Sequence, residues 1–400
     1  MSIKLYISAI KKYFKWLVIF IAINVGLYIF ILLFHNKVEF HLKNYLYNAH
    51  HFKADARIKG DDFNLINAQG QYDAQWYLKI ASNGYPKVLK KEINGINRKT
   101  MKSLSFAFFP LYPAVLRIAN STINDIQITA FIFSNIMLVI NFASLMYVIK
   151  KLISEDIAIK TAFLLFLFPF SIFYRSYFTE SLFLFILIWY SYLLIKNRML
   201  SSSFLLGLLN ITRGSGVLLY IPHFFFLWKE YRKKNLSLTK MASSTILSLL
   251  PLGLWSFYNY FKTGDLLFFM KVRSEWIENP NMFSNFLDNM RRIASPGYQD
   301  FHYFYSSQVD IAVIFAVLIL LFASFKILNI KLWLIVLCLF LSPLLFNGTI
   351  SFSRMQIVSF PLFIYLSTAI KGKYYFLVAS LFAVELFIIS LYFVNWYWIG

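Results

Sequence analysis

Cysteine is almost missing from this chain of 400 residues: Cys338 stands alone inside an apolar run. No intramolecular disulfide can form, and cysteine usage carries no information about redox compartment. Charge is scarce too, at 14% Asp, Glu, Lys and Arg, against about a quarter in a typical soluble domain. No glycine-rich phosphate loop and no dinucleotide fingerprint occurs, which disfavours a soluble nucleotide donor. Asp61 and Asp62 are adjacent but lack the spaced carboxylates of a nucleotide-sugar metal site, and the six histidines show no ligand spacing. The sequence names no metal ligands and no cofactor.

What fills the chain instead is apolar. It is 59% hydrophobic and 20% aromatic, with 45 Phe and 26 Tyr, too many for one soluble core but suited to helices that face acyl chains and end among headgroups. The net charge of +21 raises nucleic acid as a partner. The basic residues, however, cluster between apolar segments rather than along one face, so membrane topology accounts for them and no nucleic acid is expected. The first apolar run, Trp16 to Phe34, is too long for a signal-peptide core and is not followed by a small-residue cleavage site, which predicts a retained helix.

Apolar runs bounded by charges fall at 14–34, 126–149, 157–173, 181–195, 201–211, 215–228, 240–260, 309–328, 332–348, 357–370 and 374–393, which predicts an all-α polytopic bundle of about eleven crossings. Lys4, Lys11, Lys12, Lys15, Lys150, Lys151, Lys196, Arg198, Arg232 to Lys234, Lys326, Lys331, Lys371 and Lys373 then share one side. The positive-inside rule makes that side, and the N-terminus, cytoplasmic. Residues 35–125 and 261–308 lie outside as caps on a single transmembrane domain spanning 1–400. Ser103 to Ala119 is expected to be interfacial or re-entrant, because a crossing there would push Lys150 and Lys151 outward. The runs 201–211 and 215–228 are short for two crossings and meet at Thr212-Arg213-Gly214, which predicts a broken helical hairpin burying an arginine near the outer face.

Asp73, Glu180, Arg213 and Arg354 stand at the outer ends of apolar segments, and a topology drawn only from lysines puts all four on one side. A carboxylate with arginines at a membrane boundary suits sugar transfer from a lipid phosphate. A base takes the acceptor's proton, and cations hold the departing phosphate. Structural alternatives stand beside these roles. Asp73 can be the N-cap of the helical stretch ending at Ala81, Glu180 can complement a helix dipole, and Arg354 can snorkel. Arg213, between two apolar half-helices, needs a partner or a water-filled cavity. Glu385, the one carboxylate well inside a predicted helix, is either functional or a proton-bearing or ion-paired lock on helix packing.

Several stretches resemble one family. Tyr72-Asp73-Ala74-Gln75-Trp76-Tyr77-Leu78-Lys79-Ile80-Ala81-Ser82-Asn83-Gly84-Tyr85, followed by Phe106-Ala107-Phe108-Phe109-Pro110-Leu111-Tyr112-Pro113, resembles the first lumenal loop of the PIG-V family. Its members transfer the second mannose of GPI anchors, and it has prokaryotic relatives. Phe168-Pro169-Phe170-Ser171-Ile172-Phe173 with Tyr177-Phe178-Thr179-Glu180-Ser181-Leu182-Phe183 resembles the family stretch ending in Ser/Thr-Glu-Ser-Leu-Phe. Thr212-Arg213-Gly214-Ser215-Gly216 resembles its Thr-Arg-Ser-Asn-Gly segment, and Ser353-Arg354 through Phe360-Pro361-Leu362-Phe363 its late Arg and Phe-Pro motif. The likeness covers residues 70 to 365, roughly, and leaves both ends unmatched.

The resemblance implies a GT-C fold with the active site at the outer face under the first long loop, and a lipid-phosphate sugar as donor. Carried over residue by residue, it makes Asp73 the general base and Glu180, Arg213 and Arg354 site-lining residues, with Tyr72, Trp76 and Tyr112 completing the substrate site. Tyr72 stands where the family often has Trp, preserving an aromatic wall. Gly214 stands where it often has Ser, which is expected to loosen the hairpin. The implied reaction is an inverting single displacement that moves a hexose, mannose by expectation, from a polyprenyl-phosphate to an envelope glycan, glycolipid or protein, with a metal optional. Abundant Lys, Asn and Ile point to an AT-rich genome and a bacterial cytoplasmic membrane, the endoplasmic reticulum being the eukaryotic alternative. The rivals are a transporter or flippase of a lipid-linked sugar, with Arg213 and Glu385 lining its path, and a non-catalytic membrane subunit. A transporter would show paired repeats with broken helices in both halves, and one broken hairpin weighs against it.

Overall fold

In lipid a backbone must satisfy its own polar groups, and a long apolar run does so by coiling into a helix. The computed structural model describes residues 3–47, 51–88, 103–274, 307–346 and 351–400. Most of the expected second outer segment, 261–308, lies outside them. Four helices, Phe14–Lys37, Ile126–Leu152, Leu238–Thr263 and Lys373–Val394, are long and apolar enough to cross a membrane. The shortest has 22 residues, about 33 Å at roughly 1.5 Å per residue, against a hydrocarbon core of about 30 Å. Shorter apolar helices, Glu180–Ile195, Met199–Thr212, Val309–Ser324, Ile330–Leu345 and Phe360–Ala369, pack among them. With no strand among the described residues, the chain is an all-α membrane protein.

Two expected crossings are interrupted. Run 157–173 becomes the helix Glu155–Leu167 followed by a 3-10 helix, Pro169–Tyr174. Pro169 lacks an N–H and forces Phe168 out of the α region, so the helix stops before it. Run 215–228 becomes a 3-10 helix, Gly214–Leu219, and the helix Tyr220–Arg232. The hairpin is therefore broken at Arg213, which takes extended backbone at φ −158°, ψ 139°. Ser103 to Ala119 does not form one helix: a 3-10 helix, Ser103–Ala107, precedes Leu111–Ile123, which buries Tyr112, Pro113 and Leu116.

Helix starts are set by side-chain caps worth about 1 kcal/mol each. The Asp125 carboxylate accepts from the N–H groups of Gln127 and Ile128, at 2.8 and 3.0 Å, while Ser154 and Ser237 cap the helices after them. Close helix approach uses a small residue: a Cβ on Gly207 would lie 2.7 Å from Pro251 Cγ and 2.9 Å from the Leu247 carbonyl, so glycine lets Met199–Thr212 lie directly on Leu238–Thr263.

The segment 168–179 joins the bundle at one end and is almost wholly buried. Arg175, fully buried, donates to Asn24 Oδ1 at 2.7 Å, to the Ser171 carbonyl at 2.9 Å and to the Phe166 carbonyl at 3.2 Å. Ser176 donates to Gln69, Tyr177 to the Ile66 carbonyl and Tyr174 to the Ile357 carbonyl. The N-terminal helix, the first long connection and the 351–357 segment are thereby tied to one joint. Asn395 reaches the His35 carbonyl at that same end. At the other end Lys331 donates to the Leu194 carbonyl and to Asn197, and Tyr375 to the Lys160 carbonyl.

Candidate functional site

Asp73, Glu180, Arg213 and Arg354, more than 280 positions apart at the extremes, meet in one ion network at the end of the bundle organised by the 168–179 joint. Arg354 Nε donates to Glu180 Oε1 at 2.5 Å and Arg354 Nη1 to Asp73 Oδ2 at 2.9 Å. Arg213 Nη1 lies 2.6 Å from Glu180 Oε1. Exposure grades along the network: the Glu180 side chain is 0% exposed, Arg354 5%, Arg213 13% and Asp73 33%. Glu180 sits between two guanidinium groups with no way to solvent, so it holds cations in place. Asp73 is the carboxylate that a ligand can reach.

Each member is placed by its local chain. Asp73 opens the helix Asp73–Asn83, yet it does not cap it: Tyr72 holds the cap position at φ 49°, ψ −119°, with no side-chain cap bond. The N-cap alternative is corrected by this geometry, since the carboxylate turns toward Arg354 instead of the helix N–H groups. Arg354 belongs to a short helix, Phe352–Gln356, pinned from outside by Asp310, whose Oδ1 accepts from Ser353 N at 2.8 Å and Ser353 Oγ at 2.6 Å. Its guanidinium lies 4.5 Å from the Phe178 ring centroid, 4.9 Å from Phe173 and 5.4 Å from Trp398, contacts that favour a cation over aromatic faces. Glu180 begins the helix Glu180–Ile195, where its charge also suits the dipole.

Backbone strain gathers here. Of the six non-glycine residues with positive φ among the described residues, three border this network: Tyr72 at 49°, Ser351 at 60° and Trp396 at 66°. Each costs of order 1 to 3 kcal/mol and persists where surrounding contacts fix it. Those contacts are present. Tyr72 donates to the Trp396 carbonyl at 2.6 Å, its ring stands 4.7 Å from that of Trp398, and Ser351 Oγ donates to the Gly400 carbonyl at 2.9 Å.

The remaining expected residues sit further back. Trp76 stacks on Phe108 at 5.6 Å, and Tyr112, fully buried, meets the Tyr77 ring edge-on at 5.2 Å. Glu385 is on the exposed face of its helix and makes no hydrogen bond or ion pair among the described residues. Among the described residues no three His, Cys, Asp or Glu side chains converge on a metal position.

Sequence reasoning missed several participants. Tyr77, one turn after Asp73, faces the network; burial raises its pKa, and the charges of Asp73 and Glu180 add to that. Its spacing of four from Asp73 was the available signal. Asp310 and Trp398 gave no local signal, because their roles depend on contacts across the fold. Arg273, in the helix Phe268–Ser274, stands against Gly214: a Cβ there would lie 2.5 Å from Arg273 Nη1. The expected loosening at Gly214 is therefore corrected, since a guanidinium fills the room that glycine leaves.

No family model, no curated protein and no solved structure matches this chain.

Proposed function

We propose that this chain is a membrane glycosyltransferase that moves a hexose, mannose by expectation, from a polyprenyl-phosphate sugar to a glycan, glycolipid or protein acceptor on the non-cytoplasmic face. The observation that carries the reading is the accessible Asp73 carboxylate at the rim of a buried network whose other members include two arginines. An acceptor O–H at the rim would give its proton to Asp73 as its oxygen bonds the anomeric carbon. The bond from that carbon to the phosphate oxygen breaks, and its electron pair leaves with the lipid phosphate. Guanidinium groups stabilise the charge that accumulates there. One bond forms as one breaks from the opposite face, so the anomeric centre inverts without a covalent enzyme intermediate. The motif order, which resembles that of the PIG-V family, and an all-α membrane bundle whose network is completed by Asp73 of the first long connection support this reading.

The test is to place purified protein in proteoliposomes with a panel of polyprenyl-phosphate hexoses and membrane acceptors and to follow release of free polyprenyl phosphate. The expected outcome is release from one donor, dependent on acceptor and on Asp73. Movement of the intact lipid-linked sugar between leaflets without release would replace this reading with transport.

A further inference from the structure

Residues 395–400 lie beyond the stretch of resemblance, yet the three strained residues at the network hold them against it. Trp396, at φ 66°, is buried; its Nε1 donates to Asp55 Oδ2 at 2.8 Å, and its carbonyl accepts from the hydroxyl of Tyr72, itself at φ 49°. Ser351, at φ 60°, donates from Oγ to the Gly400 carbonyl at 2.9 Å. The chain is thus pinned two residues before Trp398 and two residues after it, while the Trp398 side chain itself stays partly exposed. Burying a tryptophan is among the larger apolar gains open to a fold. Backbone strain that presents one instead of burying it is not explained by stability.

The ring is turned to the site. Trp398 stands 4.7 Å from the Tyr72 ring at an interplanar angle of 68°, 5.9 Å from Phe173 and 5.4 Å from the Arg354 guanidinium carbon. A tryptophan of the interfacial belt faces lipid headgroups; this one faces an ion network. Arg354 also donates to Asp73, so a single guanidinium links the indole to the accessible carboxylate. Tyr72, partly exposed as well, directly precedes Asp73. Two rings meeting at a steep angle therefore form an aromatic corner beside Asp73.

We propose that Tyr72 and Trp398 form the acceptor subsite, and that the group it takes is a pyranose ring of a glycan or glycolipid, not a protein side chain. This rests on the glycosyltransferase reading and narrows it. The C–H bonds on one face of a pyranose carry partial positive charge and suit the negative face of an aromatic ring. The hydroxyls at the sugar's edge are left free, and Asp73 takes the proton of the one that reaches it. A seryl or threonyl side chain has no such face to stack. The donor's mark is its phosphate, which calls for cations, so an uncharged aromatic corner beside the base serves the acceptor.

The full chain in proteoliposomes tests this, with the polyprenyl-phosphate hexose it cleaves as donor and two acceptor probes, an alkyl pyranoside and an acylated seryl peptide. Wild type should transfer to the pyranoside in preference to the peptide. Trp398→Met, which keeps apolar bulk but has no aromatic face, should raise the pyranoside concentration for half-maximal rate about three- to tenfold. The half-maximal donor concentration should stay where it is, and Trp398→Phe should recover most of the loss. A merely structural role for the indole would shift both concentrations or neither. If Trp398→Met leaves the pyranoside value unchanged, or moves the donor value as much, Trp398 is not the acceptor platform. If the peptide is the better acceptor for wild type, the pyranose assignment is wrong. Each of these results leaves the transferase reading standing. If wild type releases no polyprenyl phosphate from any donor, that reading fails and this inference with it.

Discussion

The two ends of the bundle spend their charges differently. At the end holding Lys150, Lys160 and Lys331, pairs such as Lys150 with Glu155 and Lys160 with Asp156 are open to solvent, Asp156 being 68% exposed. Positive φ occurs there at Asn197 and Lys234, in turns between helices. At the opposite end Glu180 is sealed between two arginines, and strained backbone falls on Tyr72 and Trp396, residues that turn sequence alone would not choose. Solvated pairs are worth little and can be exchanged freely. Dry ones cost so much desolvation that hydrophobic replacements often do as well for stability. An arrangement that stability alone does not require points to chemistry, which is why the second end carries the functional reading.

The comparison breaks most visibly at Asp73. Asp73→Asn keeps a carbonyl oxygen for Arg354 but cannot take the acceptor's proton, so turnover with saturating donor and acceptor should fall about a hundred- to ten-thousand-fold, with the melting temperature nearly unchanged. Glu155→Gln at the other end should alter neither quantity. Full activity in Asp73→Asn would return the site end to a structural role.

Glu180 sharpens the comparison through stability. Glu180→Gln leaves two guanidinium groups without their shared carboxylate, and removing one partner of a buried pair costs about 3 to 5 kcal/mol. Asp156→Asn, its solvated counterpart, should cost less than about 1 kcal/mol. Thermal unfolding in one detergent compares them directly, and equal shifts would mean that water reaches Glu180. A smaller kinetic effect is expected at Arg213, where Lys keeps the charge but loses the fork; Arg213→Lys should raise the donor concentration for half-maximal rate about tenfold.

Much of this was legible in sequence because membrane burial writes itself as long apolar runs, and because lysines mark loops. The four network residues were readable at segment ends for the same reason: a charge survives beside lipid only at a boundary or with a partner. What sequence could not separate was Arg175 from Arg213. Both are arginines beside an apolar segment, yet Arg175 ties helices through the neutral oxygens of Asn24, Ser171 and Phe166, while Arg213 pairs with Glu180. Only tertiary contact distinguishes a joint from a site. Arg273 was invisible for a related reason, since its place is defined by an absent side chain at Gly214. Trp398 lies in the unmatched end, and nothing local says that residues 395–400 fold back over Tyr72 and Arg354.

That fold-back supplies the smallest and most specific prediction. Asp55 accepts from Arg57 Nε at 2.9 Å and from Trp396 Nε1 at 2.8 Å, while Arg57 donates to Asn395 Oδ1 at 2.5 Å and to the Val394 carbonyl at 2.8 Å. The Asp55 and Arg57 pair is thus a clasp on the segment that carries Trp396 and Trp398. Burial by itself would raise the Asp55 pKa, but the hydrogen bond and charge of Arg57, helped by Trp396, outweigh it, and the carboxyl lies below its ordinary value of 3.8. With the folded value depressed, the clasp contributes fully above the unfolded value and is lost as pH falls through the folded one. Asp55→Asn should therefore lower stability by about 1.5 kcal/mol at neutral pH and equally at pH 5. The gap to wild type should close only below about pH 4, where the unfolded carboxyl begins to take up protons. Melting temperatures of the two proteins across that range measure it. A gap that closed between pH 7 and 5 would mean the Asp55 carboxyl is raised, so that Arg57 does not govern it and the clasp does not hold the C-terminal segment over the site.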